Sequence, residues 1–388
     1  MTREELLRVA KPVNILGGTE MTNALLNAYY LMNKDTVVAK FCVQPFTDFI
    51  IIEEVYVELP YWLSKNLEGF IAGRKAPRQR EHIHELLERS GCATLDGYLQ
   101  ITHALSLIDT FWVKSVGSDL HWKDVSLFTH PFNEVIAKTA FEGGLYGDNF
   151  STTSPEYGTD GTFAKCWIRE GDTIKLLKRG SSGAANAGLE PYSEFYASQI
   201  VRELTDNSVL YDIRTHHNKL CSVCNCFTTE QFGFLPYAAI DKNSATMQQV
   251  IKKMSEFGLE EDVRDMFVID AVIFNEDRHK GNFGFIVDND KQIIEGMAPL
   301  FDHNVSLLCY GMEDDFANLQ AYTKNKGPRL AREFFFSANV CLTSHMRKRL
   351  IAMKDFKFTR DSKYNLPEWR LVALEKFVQE NIRKILNP

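Results

Sequence analysis

Asp277, Asn282 and Asp302 carry oxygen donors at a spacing suited to work on phosphate. The first two lie five residues apart in the polar run Asn275-Glu276-Asp277-Arg278-His279-Lys280-Gly281-Asn282, and the third stands alone beside Pro299, Leu300 and Phe301. Phosphoryl transfer asks little of a protein: a carboxylate to orient an attacking hydroxyl and take its proton, and hard oxygens to hold Mg²⁺ against the phosphates. Asp277 is the candidate base, and Asn282 and Asp302 are the candidate metal ligands. An Asp-Arg neighbour pair taken alone is ordinarily a solvated ion pair; the three donors in register are what make this run a candidate.

A nucleotide also needs a cation on its phosphates and a carboxylate to hold that cation. Lys175 and Lys178 point to opposite faces of one strand, so only one of them can face the nucleotide. Glu194, early in the next helix, is the carboxylate. The turn Gly158-Thr159-Asp160-Gly161 is expected over the phosphates, with its N–H groups available to anionic oxygens. Val223 to Thr228, including Cys226 and Phe227, is expected as the linker that lends backbone groups to adenine. His279 belongs with the cofactor-facing candidates by position, although a histidine beside a metal loop more often bonds the backbone.

The elements that must position these groups are legible as patterns. Residues 1–70 alternate short apolar runs, Val37 to Val43 and Phe49 to Val57, with turn signals, and read as a small strand-rich module. Residues 71–240 follow as a region of connecting helices, nucleotide hairpin and linker. In it, Pro77 opens a helix that Gly91 closes, Phe163 to Arg169 and Thr173 to Lys178 form a hairpin, and Pro191 opens a helix to Leu204. Residues 241–388 are mainly helical. Met247, Val250, Ile251 and Met254 recur at helical spacing, Met266 to Phe274 is apolar all round except Asp270, and Leu371, Leu374, Phe377, Val378, Ile382 and Ile385 form a closing stripe. After the polar run, Phe283 to Val287 and Lys291 to Ile294 read as strands joined by a turn at Asp288-Asn289-Asp290, which lacks the glycine and distal carboxylate of a calcium loop. The class expected is α+β, with a strand-rich N-terminal lobe and a mainly helical C-terminal lobe.

Composition narrows the partners. With 44 basic against 51 acidic residues, the net charge of −7 argues against direct nucleic-acid binding. No apolar run is long enough to span a membrane, and Arg3, Glu4, Glu5 and Arg8 do not suit a secretory leader. The eight cysteines fit reduced thiols and a cytoplasmic setting. Cys221, Cys224 and Cys226 with His216 and His217 lack a second finger-like pair, so strand thiols are expected rather than zinc ligands. Arg74, Lys75, Arg78 and Arg80 read as a solvated helix start.

The run Asn275 to Gly284, followed by Ala298-Pro-Leu-Phe-Asp302, resembles the catalytic loop and metal-binding segment of the HipA-like serine/threonine protein kinases. The blocks Ala104 to Val113 and Leu120 to Val125 are similar to those members of the family found in Gram-positive gut bacteria. The resemblance covers roughly residues 75–310 and implies the bilobal fold of the protein and phosphatidylinositol kinases, ATP and Mg²⁺ as cofactors, and γ-phosphate transfer to a protein hydroxyl. It favours Lys178 as the phosphate cation. It also implies self-phosphorylation near the nucleotide loop, where Ser151, Thr152, Thr153, Ser154 and Thr159 offer hydroxyls, and it allows a toxin role with an antitoxin-like partner. The chain lacks Gly-x-Gly-x-x-Gly, so a nucleotide-binding module without turnover remains an alternative. The order Asp-Arg-His keeps a small-molecule or lipid kinase open as well.

Overall fold

The chain is described by a computed structural model over residues 27–44, 48–77, 79–92, 94–144 and 152–387. Expectations for residues 1–26, Arg78 and Ser151 lie outside these. The architecture is α+β: three antiparallel sheets lead into a helical half.

The first sheet contains β1 (Asn27–Asn33), β2 (Thr36–Gln44), β3 (Phe49–Val55) and β4 (Phe111–Ser115), in the order β3-β2-β1-β4. Three short strands bury little alone. This sheet therefore recruits β4 from beyond residue 70 and packs Tyr29, Leu31 and Phe41 on α1 (Ile83–Ser90) and α2 (Leu95–Thr102), in a core that reaches Tyr157. α1 starts at Ile83 and not at Pro77, because His82 adopts φ +64°, which the helix cannot continue; Gly91 closes it at φ +79° as expected.

The second sheet, in the order β5-β6-β8-β7, holds β5 (Lys165–Glu170), β6 (Thr173–Arg179), β7 (Tyr211–His216) and β8 (Lys219–Asn225). One face takes Ala137 and Phe141 of α3 (Glu134–Glu142), with Cys221 and Val223 beneath them. The alternation of β8 turns Cys224 to the other face, beside Val209 and Tyr211. The expected helix follows as α4 (Glu190–Leu204), lying along β7 and β8.

The third sheet, in the order β11-β10-β9, joins β9 (Phe232–Pro236) to the hairpin β10 (Gly284–Asp288) and β11 (Ile293–Met297). Gly284 is required here: a Cβ would stand 2.2 Å from the Leu235 carbonyl oxygen. Below it pack α5 (Met247–Ser255), α6 (Glu260–Ile273), α7 (Phe334–Cys341), α8 (Ser344–Ala352) and α9 (Glu368–Leu386). Val250, Met254, Met266, Ile269, Leu374 and Val378 share one core, so the apolar stripes read from the sequence face each other. Among the described residues, no helix is long and apolar enough to cross a membrane.

Candidate active site

The polar run leaves α6 through Phe274, whose φ of +54° ends the helix and turns the chain. Its geometry is set from below. Asp270, the one charge in the apolar part of α6, is buried and takes Arg278 Nε at 3.0 Å and Nη2 at 2.9 Å. Arg278 Nη1 donates to the carbonyls of Asn282 and Phe301, both at 2.9 Å. One buried guanidinium thus fixes the end of the loop beside the residue that precedes Asp302, bringing the Asn282 and Asp302 segments together.

Within the loop, Asn282 Nδ2 donates to the Asp277 carbonyl at 3.1 Å, and its Oδ1 accepts from His279 N at 2.9 Å. An amide oxygen has two lone pairs, so Oδ1 keeps one for a cation. His279 Nδ1 accepts from Gly281 N at 3.1 Å, which makes the ring part of the loop scaffold. Burial raises the Asp277 carboxyl above its ordinary range, opposed chiefly by the Arg329 guanidinium. Arg329 Nη2 lies 2.7 Å from Asp277 Oδ1.

Lys178, near the end of β6, enters the same site from the second sheet. Its Nζ lies 2.5 Å from Glu194 Oε1 and 2.8 Å from Asp302 Oδ1. Lys175 takes the opposite face and pairs with Glu170. Ser222 donates to the second oxygen of Glu194, and Asp302 N donates to Tyr211 Oη at 3.1 Å. A parallel bridge between Ser208 and Leu300 stitches the Asp302 segment to the strand that carries Tyr211. Burial opposes charge on all three groups. The two carboxylates nevertheless hold the Lys178 ammonium well above its usual range, and Lys178 and Lys165 draw Asp302 down. Glu194, fully enclosed, is pushed up by burial despite Lys178.

Lys165 has no role in the reading of the sequence, yet it is buried opposite Lys178 in the β5–β6 register and donates to the Asp160 carbonyl at 2.6 Å. Burial, and then the Lys178 charge, pull its ammonium down to about 8. The turn Gly158 to Gly161 is held by its other groups. Thr159 Oγ1 accepts Trp167 Nε1 at 2.7 Å, and its carbonyl accepts Arg80 at 2.9 Å. Arg80 is buried, not part of a solvated helix start, and Arg74 forms a bidentate pair with Asp109 at 2.8 and 3.0 Å. Their partners lie far along the chain, where local charge patterning has no view. Gly158 and Asp160 also border a cavity of ≈ 790 Å³ shared with Trp62, Arg74, Phe234 and Asn289.

In the segment expected as the linker, Cys226 N donates to Ile174 O at 2.8 Å. Phe227 packs its ring on Phe301 at 5.4 Å and edge-on to Phe234 at 5.7 Å, an aromatic cluster that includes the residue preceding Asp302. The groups missed in the sequence are Lys165, Tyr211, Ser222, Arg278 and Arg329. A signal existed only for Arg278, since a lone aspartate in an apolar helix calls for a buried cation nearby.

No family model matches the chain. It is 30% identical over 143 residues to the serine/threonine-protein kinase CtkA of Helicobacter pylori, an alignment covering 32% of this chain and 42% of that one. Among solved structures, it is similar to the H. pylori proinflammatory kinase CtkA, with a TM-score of 0.50, 18% identity, and coverage of 60% of this chain and 92% of the other. It is also similar to HipA of Shewanella oneidensis, solved in a complex with HipB and operator DNA, with a TM-score of 0.52, 11% identity, and coverage of 93% and 99%. The chain has the HipA-like kinase fold. Lys178, on a strand, bridges the helix-borne Glu194 and Asp302, and Arg278 ties the loop of Asp277 to the residue before Asp302.

Proposed function

We propose that this protein is an ATP- and Mg²⁺-dependent kinase that phosphorylates serine or threonine hydroxyls of a protein acceptor. The observation that carries the reading is the position of Lys178 Nζ between Glu194, at 2.5 Å, and Asp302, at 2.8 Å. A buried cation held by one carboxylate, with a second carboxylate facing the loop of Asp277, is an arrangement for gripping phosphate beside a metal.

The donor set fits Mg²⁺. Asn282 Oδ1 and the Asp302 carboxylate are hard oxygens, each with a lone pair beyond its protein contact. Bound there, the ion would neutralise charge on the phosphates. Lys178 and Lys165 hold the phosphate oxygens, and the Phe227, Phe234 and Phe301 rings hold the base. Asp277 orients the acceptor hydroxyl and takes its proton as the new oxygen–phosphorus bond forms and the bond from the γ-phosphorus to the bridging oxygen breaks. The products are the phosphorylated acceptor and ADP, and Asp277 returns the proton to solvent.

Self-phosphorylation belongs to the same reading. Thr152 and Thr153 are half-buried hydroxyls, whereas Ser154 is buried against Glu156, and Thr159 Oγ1 is committed to Pro155 O and Trp167. Modification is expected at Thr152 or Thr153. An antitoxin-type partner, a growth-restraining role and a cytoplasmic site of action are carried as part of the proposal by likeness to the HipA fold.

The test is transfer from labelled ATP to proteins of a bacterial lysate. Wild type with Mg²⁺ should label at least one protein, and Asp277→Ala should reduce the rate by about 10²- to 10⁴-fold. Equal labelling by the variant, or undiminished labelling in excess chelator, contradicts the reading.

A further inference from the structure

The segment 324–332, Lys-Asn-Lys-Gly-Pro-Arg-Leu-Ala-Arg, carries four cations and no acid in a chain whose net charge is −7. It lies directly against the catalytic loop. Lys326 Nζ meets both oxygens of Glu276, at 2.9 and 3.0 Å, and packs 4.6 Å over the Tyr322 ring. Three residues on, Arg329 reaches Asp277, and Leu330 anchors the segment in the helical core. Lys324 and Arg332 are exposed, and neither has an ion-pair partner among the described residues.

Arg329 is poorly satisfied where it stands. Its side chain is 60% exposed, and Asp277 Oδ1, though 2.7 Å away, has no hydrogen bond of acceptable geometry. A guanidinium in that position blocks the oxygen that must receive an acceptor hydroxyl. With more than half of its side chain exposed, its pairing with Asp277 is a partly solvated ion pair of modest worth.

We propose that residues 324–332 form the acceptor-docking surface and select a protein segment with acidic side chains next to its hydroxyl. Arg329 leaves Asp277 for an acidic group of the incoming segment, which uncovers the base as the acceptor seats; Lys324 and Arg332 hold further carboxylates. Arg329 is thus a positioning and specificity residue, not a catalytic one. An acidic peptide fits better than nucleic acid, because the rest of the surface carries the negative charge that repels a long polyanion. The inference rests on the kinase reading for its meaning, and its test is chosen to stand apart from turnover.

Fluorescent serine peptides with acidic, neutral or basic flanks are titrated by anisotropy into the full chain with Mg²⁺ and a non-hydrolysable ATP analogue. The acidic peptide should bind about tenfold tighter than the neutral one, the worth of one charge-assisted contact. Arg329→Gln should remove most of that difference, and Arg329→Glu with Lys324→Glu should turn the preference toward the basic peptide; thermal melts confirm folding of each. Equal binding of the three peptides by wild type overturns the proposal, as does a single-stranded RNA that displaces the acidic peptide at equal concentration. An acidic preference that follows Arg329 in a protein without transferase activity upholds the docking surface while the kinase reading fails.

Discussion

At the scale of single residues, the proposed site rests on a buried lysine placed between two carboxylates. Lys178 is 8% exposed and Glu194 1%, so removing Lys178 leaves Glu194 buried without a cation, whereas removing Glu194 leaves Lys178 its pairing with Asp302. Lys178→Met is expected to lower phosphate transfer by about 10²- to 10³-fold with folding retained, because the lost cation acts on transferring charge; the check is a rate at saturating ATP beside a melting curve. Lys165 gives a pH dependence. In the free site its ammonium titrates near 8, held down by burial and by Lys178. Phosphate favours the charged form, so binding takes up a proton where Lys165 is neutral. Nucleotide affinity should therefore fall as pH rises from 7.5 to 9, with proton uptake visible by calorimetry in buffers of different ionisation heat, and Lys165→Met should flatten the trend. That the loop of Asp277 and Asn282 should lie beside Asp302 could be expected from the sequence, because a polar run after a buried helix and a hairpin returning from it bring the two segments together. Lys165 could not be placed, since a lysine at the head of a strand declares nothing until its register partner is known.

Among elements, α6 and its loop carry the precision of the site. The pairing of Asp270 with Arg278 is enclosed, at 2% and 1% exposure, and serves both the helix and the Asp302 segment. Breaking one side of such a pair costs about 3–5 kcal/mol. Asp270→Leu should show this loss in denaturant unfolding, with transfer falling further than Asp277 chemistry alone requires. The helices α4, α5 and α9 and the hairpins at 165–179 and 284–297 were legible, because their apolar periods and their turns, at Gly171 and at Asn289-Asp290, act locally. The start of α1 was not. Its limit is the left-handed His82, fixed by packing and not by any sequence rule for helix entry. In the segment expected as the linker, the Cys226 amide bonds Ile174, a pairing set by the sheet register that sequence order does not reveal.

For the whole molecule, the strand-rich beginning is not a separable appendage. β4 completes its sheet, and its core continues through Phe111 and Val113 to Ile136 and Tyr157. A chain lacking residues 1–70 should therefore expose this face, bind a hydrophobic dye and lose its sharp thermal transition, whereas a separable module would leave both unchanged. Such long-range pairing is invisible to periodicity, which reports that a strand exists and not which strand it will meet. The central claim is that Asn282 and Asp302 share one divalent ion against a nucleotide held by Lys178. Its most direct test is a crystal structure with Mn²⁺ and a non-hydrolysable ATP analogue, read by anomalous scattering. The account predicts a manganese peak about 2–2.5 Å from Asn282 Oδ1 and from an Asp302 oxygen, with Lys178 Nζ on phosphate. A nucleotide bound with its metal away from both residues would contradict it.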